Sequence, residues 1–273
     1  MRWPSFPIEG AIGSKCQWLG TLALSLALLL NVPGCELSPS TPIDPNALTA
    51  SPEEVIANAR QLVKQDRLAE ATALLDEHIS ANPNDAVALS LRGIVRMREG
   101  KIYPAVKDLS ASAQIAPNAD VYFNLGNVMQ QGGFFDRAET AYRTALEYSP
   151  QDPEILANLA SNLVLMDRSS EAISLLERVI SARPNDPLAH TLMGMAYHRL
   201  QQWSEAENKF LEALRLAPDY YQAAFNLAKT YEAQGKDQLA GQQYKRYLEL
   251  RPNAPDRGKI QDRINQYLGV GVL

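Results

Sequence analysis

The chain has 273 residues, 46% of them hydrophobic, with 26 lysines and arginines against 31 acidic residues for a formal net charge of -5. That is enough apolar material for a substantial core, and it excludes a disordered polymer. The mild acidity and the lack of a dense basic run argue against nucleic acid as a partner. The two cysteines, Cys16 and Cys35, stand near the N-terminus and leave the rest of the chain without disulfide or thiolate metal chemistry.

Arg2 and Lys15 precede a charge-free run at 18–32 with the length and composition of a signal-peptide hydrophobic region. It leads into Val32-Pro33-Gly34-Cys35, and a small residue followed by cysteine at such a place resembles the lipobox of bacterial lipoproteins. The resemblance implies that 1–34 is a signal peptide, that cleavage falls before Cys35, and that Cys35 is lipidated and so ties the protein to a membrane. The alternative is an uncleaved anchor, because 16–35 is an uncharged stretch of 20 residues. Either reading places the remaining chain outside the cytoplasm, in the cell envelope facing the periplasm. Glu36, where an aspartate would signal retention at the inner membrane in such lipoproteins, leans towards the outer membrane if the organism has one. Residues 35–50 then form the lipidated cysteine and a tether rich in proline, serine and threonine, a composition that builds no core.

A helix is predicted from residue 52: Ser51 can cap it, Pro52 suits the first helical position, and Glu54 completes a Ser-x-x-Glu capping box. From here to 252 the chain repeats itself. Prolines 83, 117, 150, 184, 218 and 252 are separated by 34, 33, 34, 34 and 34 residues. Twenty-four residues before each proline stands a small residue (Ala59, Gly93, Gly126, Ala160, Gly194, Ala228), and twelve before it an alanine (Ala71, Ala105, Ala138, Ala172, Ala206, Ala240). Within 187–218, His190, Met193, Gly194 and Tyr197 follow one helical period, and Ala206, Phe210 and Ala213 another. Each unit therefore reads as two short antiparallel helices that need neighbours to bury their apolar faces.

The pattern resembles the tetratricopeptide repeat. It implies an all-α fold, an α-solenoid of six helix-turn-helix units wound as a right-handed superhelix, over approximately 52–85, 86–118, 119–152, 153–186, 187–220 and 221–254. The missing residue lies between Pro117 and Gly126, in the turn entering the third unit, and is expected to alter one inter-repeat angle. Arg96 and His78 replace residues that are apolar or small in other units, departures expected to loosen the N-terminal end. After Pro252, Ile260, Ile264, Tyr267 and Leu268 give an amphipathic C-terminal capping helix within 255–273.

Catalysis has no visible foothold. His190 and His198 are eight residues apart, with His190 on an internal ladder, and no metal-ligand spacing, nucleophile motif, phosphate loop or other cofactor fingerprint occurs. Gly132-Gly133 is read as an inter-helix turn. The family resemblance implies binding instead, with the first helix of each repeat lining a concave groove. Carried over position by position, the candidate groove residues include Phe123, Asn124, Asn127, Asn158, Ser161, Thr191, Leu192, Met195, Phe225, Asn226 and Lys229. Asn124, Asn158 and Asn226 share one repeat position and resemble a peptide-backbone-binding asparagine ladder known in the family; alternatively they solvate the groove or bond locally. A two-carboxylate clamp for chaperone tails is not expected, because Phe123, Leu188 and Leu192 occupy its cationic places. Phe123, Leu192, Met195 and Phe225 are either apolar anchors for a partner segment or inter-repeat core. The expected function is a lipid-anchored protein-interaction scaffold, adaptor or assembly factor without catalysis. The alternative is a regulatory or substrate-docking subunit of an envelope enzyme such as a glycosyltransferase or peptidoglycan hydrolase.

Overall fold

The structure, a computed structural model, describes residues 51–269; the signal-peptide, tether and Cys35 expectations fall outside the described residues. Thirteen α-helices follow one another, with no strand among the described residues. They pair as α1 (Pro52–Lys64) with α2 (Leu68–Ala81), α3 (Ala86–Arg98) with α4 (Ile102–Ile115), and α5 (Ala119–Gln131) with α6 (Phe135–Tyr148). The series continues as α7 (Pro153–Leu165) with α8 (Ser169–Ala182), α9 (Pro187–Arg199) with α10 (Trp203–Leu216), and α11 (Tyr221–Ala233) with α12 (Asp237–Leu250), and closes with α13 (Arg257–Leu268).

Local chemistry sets these boundaries. Ser51 forms the capping box with Glu54. Asp85, Asn118, Asp152 and Asp186 each accept hydrogen bonds from the first backbone amides of the helix that follows. Each second helix stops at a residue pushed out of the helical region by the proline behind it: Asn82, Ala116, Ser149, Arg183, Ala217 and Arg251 all have φ between -129° and -139°. Three-residue turns join the helices within each pair, and their middle residue is always left-handed. Gly100, Gly133 and Gly235 supply it without a Cβ penalty, whereas Asp66, Asp167 and Gln201 adopt it with φ of 61°, 59° and 58°. Four residues join successive pairs, except at 116–118, where there are three.

The small residue of each first helix faces a large one sixteen positions on, which is fully buried in every unit: Leu75, Leu109, Tyr142, Leu176, Phe210 and Tyr244. At Gly126 an added Cβ would stand 2.5 Å from the Tyr142 ring. In the three units with glycine there, close approach of the paired backbones thus depends on a missing side chain meeting a large one, whereas Ala59, Ala160 and Ala228 keep a single methyl group at the crossing. Each helix packs on the next, and the first helices of successive pairs also touch one another (α1 with α3, α3 with α5, α5 with α7, α7 with α9, α9 with α11), while the backbones of the second helices stay further apart and α6 reaches α8 through the side chains of Arg143 and Glu171, 3.7 Å apart. The first helices therefore form the inner, concave side.

The polar substitutions at the N-terminal end, expected to loosen it, both find partners. Arg96 joins Arg92, Asp76 and Asp108 in an ion network: Asp108 Oδ1 is 2.7 Å from Arg92 Nη2, its Oδ2 is 2.7 Å from Arg96 Nη1, and Asp76 Oδ1 is 2.7 Å from Arg92 Nη1. The Asp108 side chain is only 3% exposed, and its two arginines neutralise it where an apolar residue would otherwise pack. His78 is likewise engaged, its Nε2 lying 2.8 Å from Asp85 Oδ2 at the cap of α3. At the other end, Glu232 of α11 accepts hydrogen bonds from Tyr244 Oη (2.7 Å) and Tyr267 Oη (2.8 Å) and pairs with Arg263, fastening α13 across the last repeat.

Candidate functional site

The concave face is built from α1, α3, α5, α7, α9 and α11, and the structure divides the expected groove residues into two sets. Phe123 is completely buried and packs against Tyr142, with ring centroids 6.2 Å apart, so it is core and not an anchor. Asn124, Leu192, Thr191 and Asn226 are buried as well. Thr191 Oγ1 donates to the Pro187 carbonyl at 2.8 Å, and Asn226 Nδ2 donates to the Gln222 carbonyl at 2.9 Å, so both satisfy themselves within their own helix. The physical reason is the contact between successive first helices: these positions lie in the seam, and the neighbouring repeat covers them. Asn127, Ser161, Met195 and Phe225 are half-buried and Lys229 is exposed, on the open side of the same helices. Asn158, although 4% exposed, makes no hydrogen bond among the described residues.

The middle of the face is polar. The hydroxyl of Tyr142 reaches up from α6 and lies 2.8 Å from the amide oxygens assigned to both Asn127 and Gln130. A single hydroxyl hydrogen can be donated to one of them only, so the other amide is turned to donate its N–H to the phenol. Gln130 also lies 3.5 Å from Ser161 Oγ on α7, which carries the network across a repeat boundary. Burial pushes the Tyr142 phenol well above its ordinary pKa, keeping it neutral. Asn127 and Ser161, both half-buried, thereby form an uncharged polar strip braced from beneath by the buried Gln130 and Tyr142, while Asn158 is buried and takes no part in the network.

Apolar ground lies on both sides. Towards the N-terminus, Leu91, Ile94, Val121 and the half-exposed Val87 line a cleft of about 170 Å³ beside Arg60, under the short 116–118 turn. Towards the C-terminus, Phe225 packs on Tyr244 and Tyr247, and Met195 sits against the same core.

Two residues of the face escaped the sequence reading: Gln130 and His198. Both stand four positions after the small residue, where other units carry Val63, Met97, Val164 and Glu232. Half of that row is polar, and its three polar members were the available signal. His190, by contrast, is buried with its Nε2 2.9 Å from the Pro184 carbonyl, a packing role. Among the described residues no cluster of three or more metal-binding side chains occurs, and no helix is long and apolar enough to cross a membrane.

Stacked helix pairs with an inner face of this kind define an α-solenoid. Two models described as tetratricopeptide repeat match the chain, at residues 129–196 and 191–255, and support that family. Anaphase-promoting complex subunit 3 of Schizosaccharomyces pombe is 28% identical over 108 residues, 40% of this chain and 16% of that protein. The Hsp70-Hsp90 organising protein of Plasmodium falciparum is 30% identical over 95 residues, 35% of this chain and 38% of that protein. The chain thus spans well under half the length of these relatives. Among solved structures, the APC/C hetero-tetramer Cut9-Hcn1 superposes with a TM-score of 0.68 at 17% identity, covering 79% of this chain and 42% of that one, a likeness of fold.

Proposed function

We propose that this protein is a lipid-anchored scaffold or assembly factor of the bacterial cell envelope, which holds an extended segment of a partner protein along its concave face. The observation that carries the reading is the polar strip of Asn127 and Ser161, braced by the buried Gln130 and Tyr142 and flanked by apolar ground at Ile94 and Val87 on one side and Phe225 and Met195 on the other. Fixed amides and hydroxyls offer paired donors and acceptors to a peptide backbone, and the flanking ground offers pockets for side chains. The family supports the protein-binding part of this reading, as do relatives whose names place them in a multi-subunit complex and in chaperone organisation.

Photo-crosslinking residues at Asn127, Met195 and Phe225 in the full chain are expected to capture one and the same protein, with Tyr148 on a second helix as the convex control. Capture from Tyr148 and not from the concave positions would overturn the groove. Anchoring rests on Val32-Pro33-Gly34-Cys35. Cys35→Ala is expected to abolish labelling by a fatty-acid analogue; undiminished labelling would refute it.

A further inference from the structure

Lys229 stands exposed on the inner face of α11 and makes no ion pair among the described residues; its Nζ lies 5.5 Å from the centroid of the Phe225 ring. Two cations at the ends of other first helices are committed. Arg98 donates to the Val63 carbonyl and to Asp66, and Arg199 pairs with Asp167 at 2.5 Å. Beside Lys229, on α9, is His198. Its Nδ1 lies 2.9 Å from Thr230 Oγ1, and the Thr230 hydroxyl donates its one hydrogen to the Asn226 carbonyl at 2.9 Å. Thr230 must therefore accept, so Nδ1 carries the proton and donates, leaving Nε2 with a lone pair. That nitrogen is bonded to no other described residue and is not sealed from solvent. Trp203 of α10 meets the imidazole edge-on at 5.0 Å and fixes the ring from behind.

We propose that Lys229 and His198 form a subsite for the carboxylate of an aspartate or glutamate side chain in the bound segment, with Phe225 and Met195 as the apolar floor beside it. This rests on the reading of the concave face as a peptide groove. The ammonium supplies the fixed charge. With its lone pair outward, His198 opposes a carboxylate; once protonated at Nε2 it becomes a second donor. The charges that bear on His198 are Lys229 from α11 and Arg199 from its own helix, while Trp203 from α10 carries none. Burial, then Lys229 and Arg199, hold its pKa below the ordinary histidine value, so the empty groove keeps it neutral at pH 7. A bound carboxylate offsets those causes and draws a proton onto Nε2. Binding is then coupled to proton uptake, and affinity rises as pH falls. The chain's own net charge of -5 gives no general attraction for acidic segments, so recognition is of a single carboxylate at one register.

A phage library of random dodecapeptides, fused at their C-termini so that no free α-carboxylate is present, is selected on the full chain in nanodiscs at pH 5.5 and 7.5. The expected result is enrichment of Asp or Glu at one position next to an apolar residue, with selected peptides binding up to about tenfold tighter at the lower pH. Lys229→Met is expected to remove the acidic enrichment while still selecting peptides. His198→Gln is expected to keep the enrichment and flatten the pH dependence. Circular dichroism checks that both variants fold. Peptides without acidic enrichment, or enrichment unchanged in Lys229→Met, would overturn the subsite and leave the groove standing; no peptide selected at either pH would overturn both.

Discussion

Gly194 and Phe210 share one space: a Cβ on Gly194 would lie 2.7 Å from Cε1 of the Phe210 ring. In the neighbouring unit Ala160 stands at the glycine position and the smaller Leu176 at the ring position. Gly194→Ala is therefore expected to destabilise the array by about 1–3 kcal/mol through overpacking. Adding Phe210→Leu should return part of that loss, although the leucine alone leaves a cavity. Urea unfolding of the single and double variants measures the coupling, and strict additivity would show that the two sites do not compete for room.

The left-handed turn residues permit a test in which packing is absent. A Cβ on Gly133, at φ +77°, would meet nothing within 4 Å. Gly133→Ala should therefore cost about 1–2 kcal/mol from backbone strain alone. The reverse change at Gln201, at φ 58°, should stabilise by up to about 1 kcal/mol. Thermal melts of both variants report the sign.

The ion network in the second repeat separates a buried partner from an exposed one. Asp108 is 3% exposed in its side chain and Asp76 is 47% exposed, and both bond Arg92 and Arg96. Asp108→Ala leaves two half-buried guanidinium groups with one exposed carboxylate between them, and should cost about 3–5 kcal/mol. Asp76→Ala should cost less than about 1 kcal/mol. Equal losses in denaturant titrations would mean that burial does not set the strength of this network.

Asp85 links the second repeat to pH. Burial raises its pKa, but the Ala88 amide, the His78 imidazole and the Val87 amide outweigh that and hold the carboxyl below its usual range. A folded-state pKa below the unfolded one contributes stability that is fully present above about pH 4, the unfolded value, and is lost as pH falls through the folded one. At neutral pH Asp85→Ala should cost about 0.5–2 kcal/mol as a lost helix cap. Comparing wild type and variant across acid titration should show the gap closing below pH 4, and a gap that persists there would mean the carboxylate's charge is not its source.

The helices were legible because their signals are local. Ser51, Asp152 and Asp186 mark starts, a proline marks each end, and the small residue and the alanine mark the crossing within a pair. The groove was less so. Whether Phe123 or Asn124 faces a partner or the next repeat depends on how closely α5 and α7 approach, which no single repeat encodes. The ion network of the N-terminal end was hidden for a related reason: Asp76, Arg92 and Asp108 stand sixteen residues apart, and only the stacking of α2, α3 and α4 brings Arg96 into their company.

The backbones of the inner helices touch from pair to pair and those of the outer ones do not. Such a stack is stiff along its inner edge and compliant along its outer one, so its softest deformation is a change of pitch that fans the outer rim open or shut. A ligand lying along α5 to α11 would act as a splint, fixing the curvature of the whole molecule without altering any one repeat.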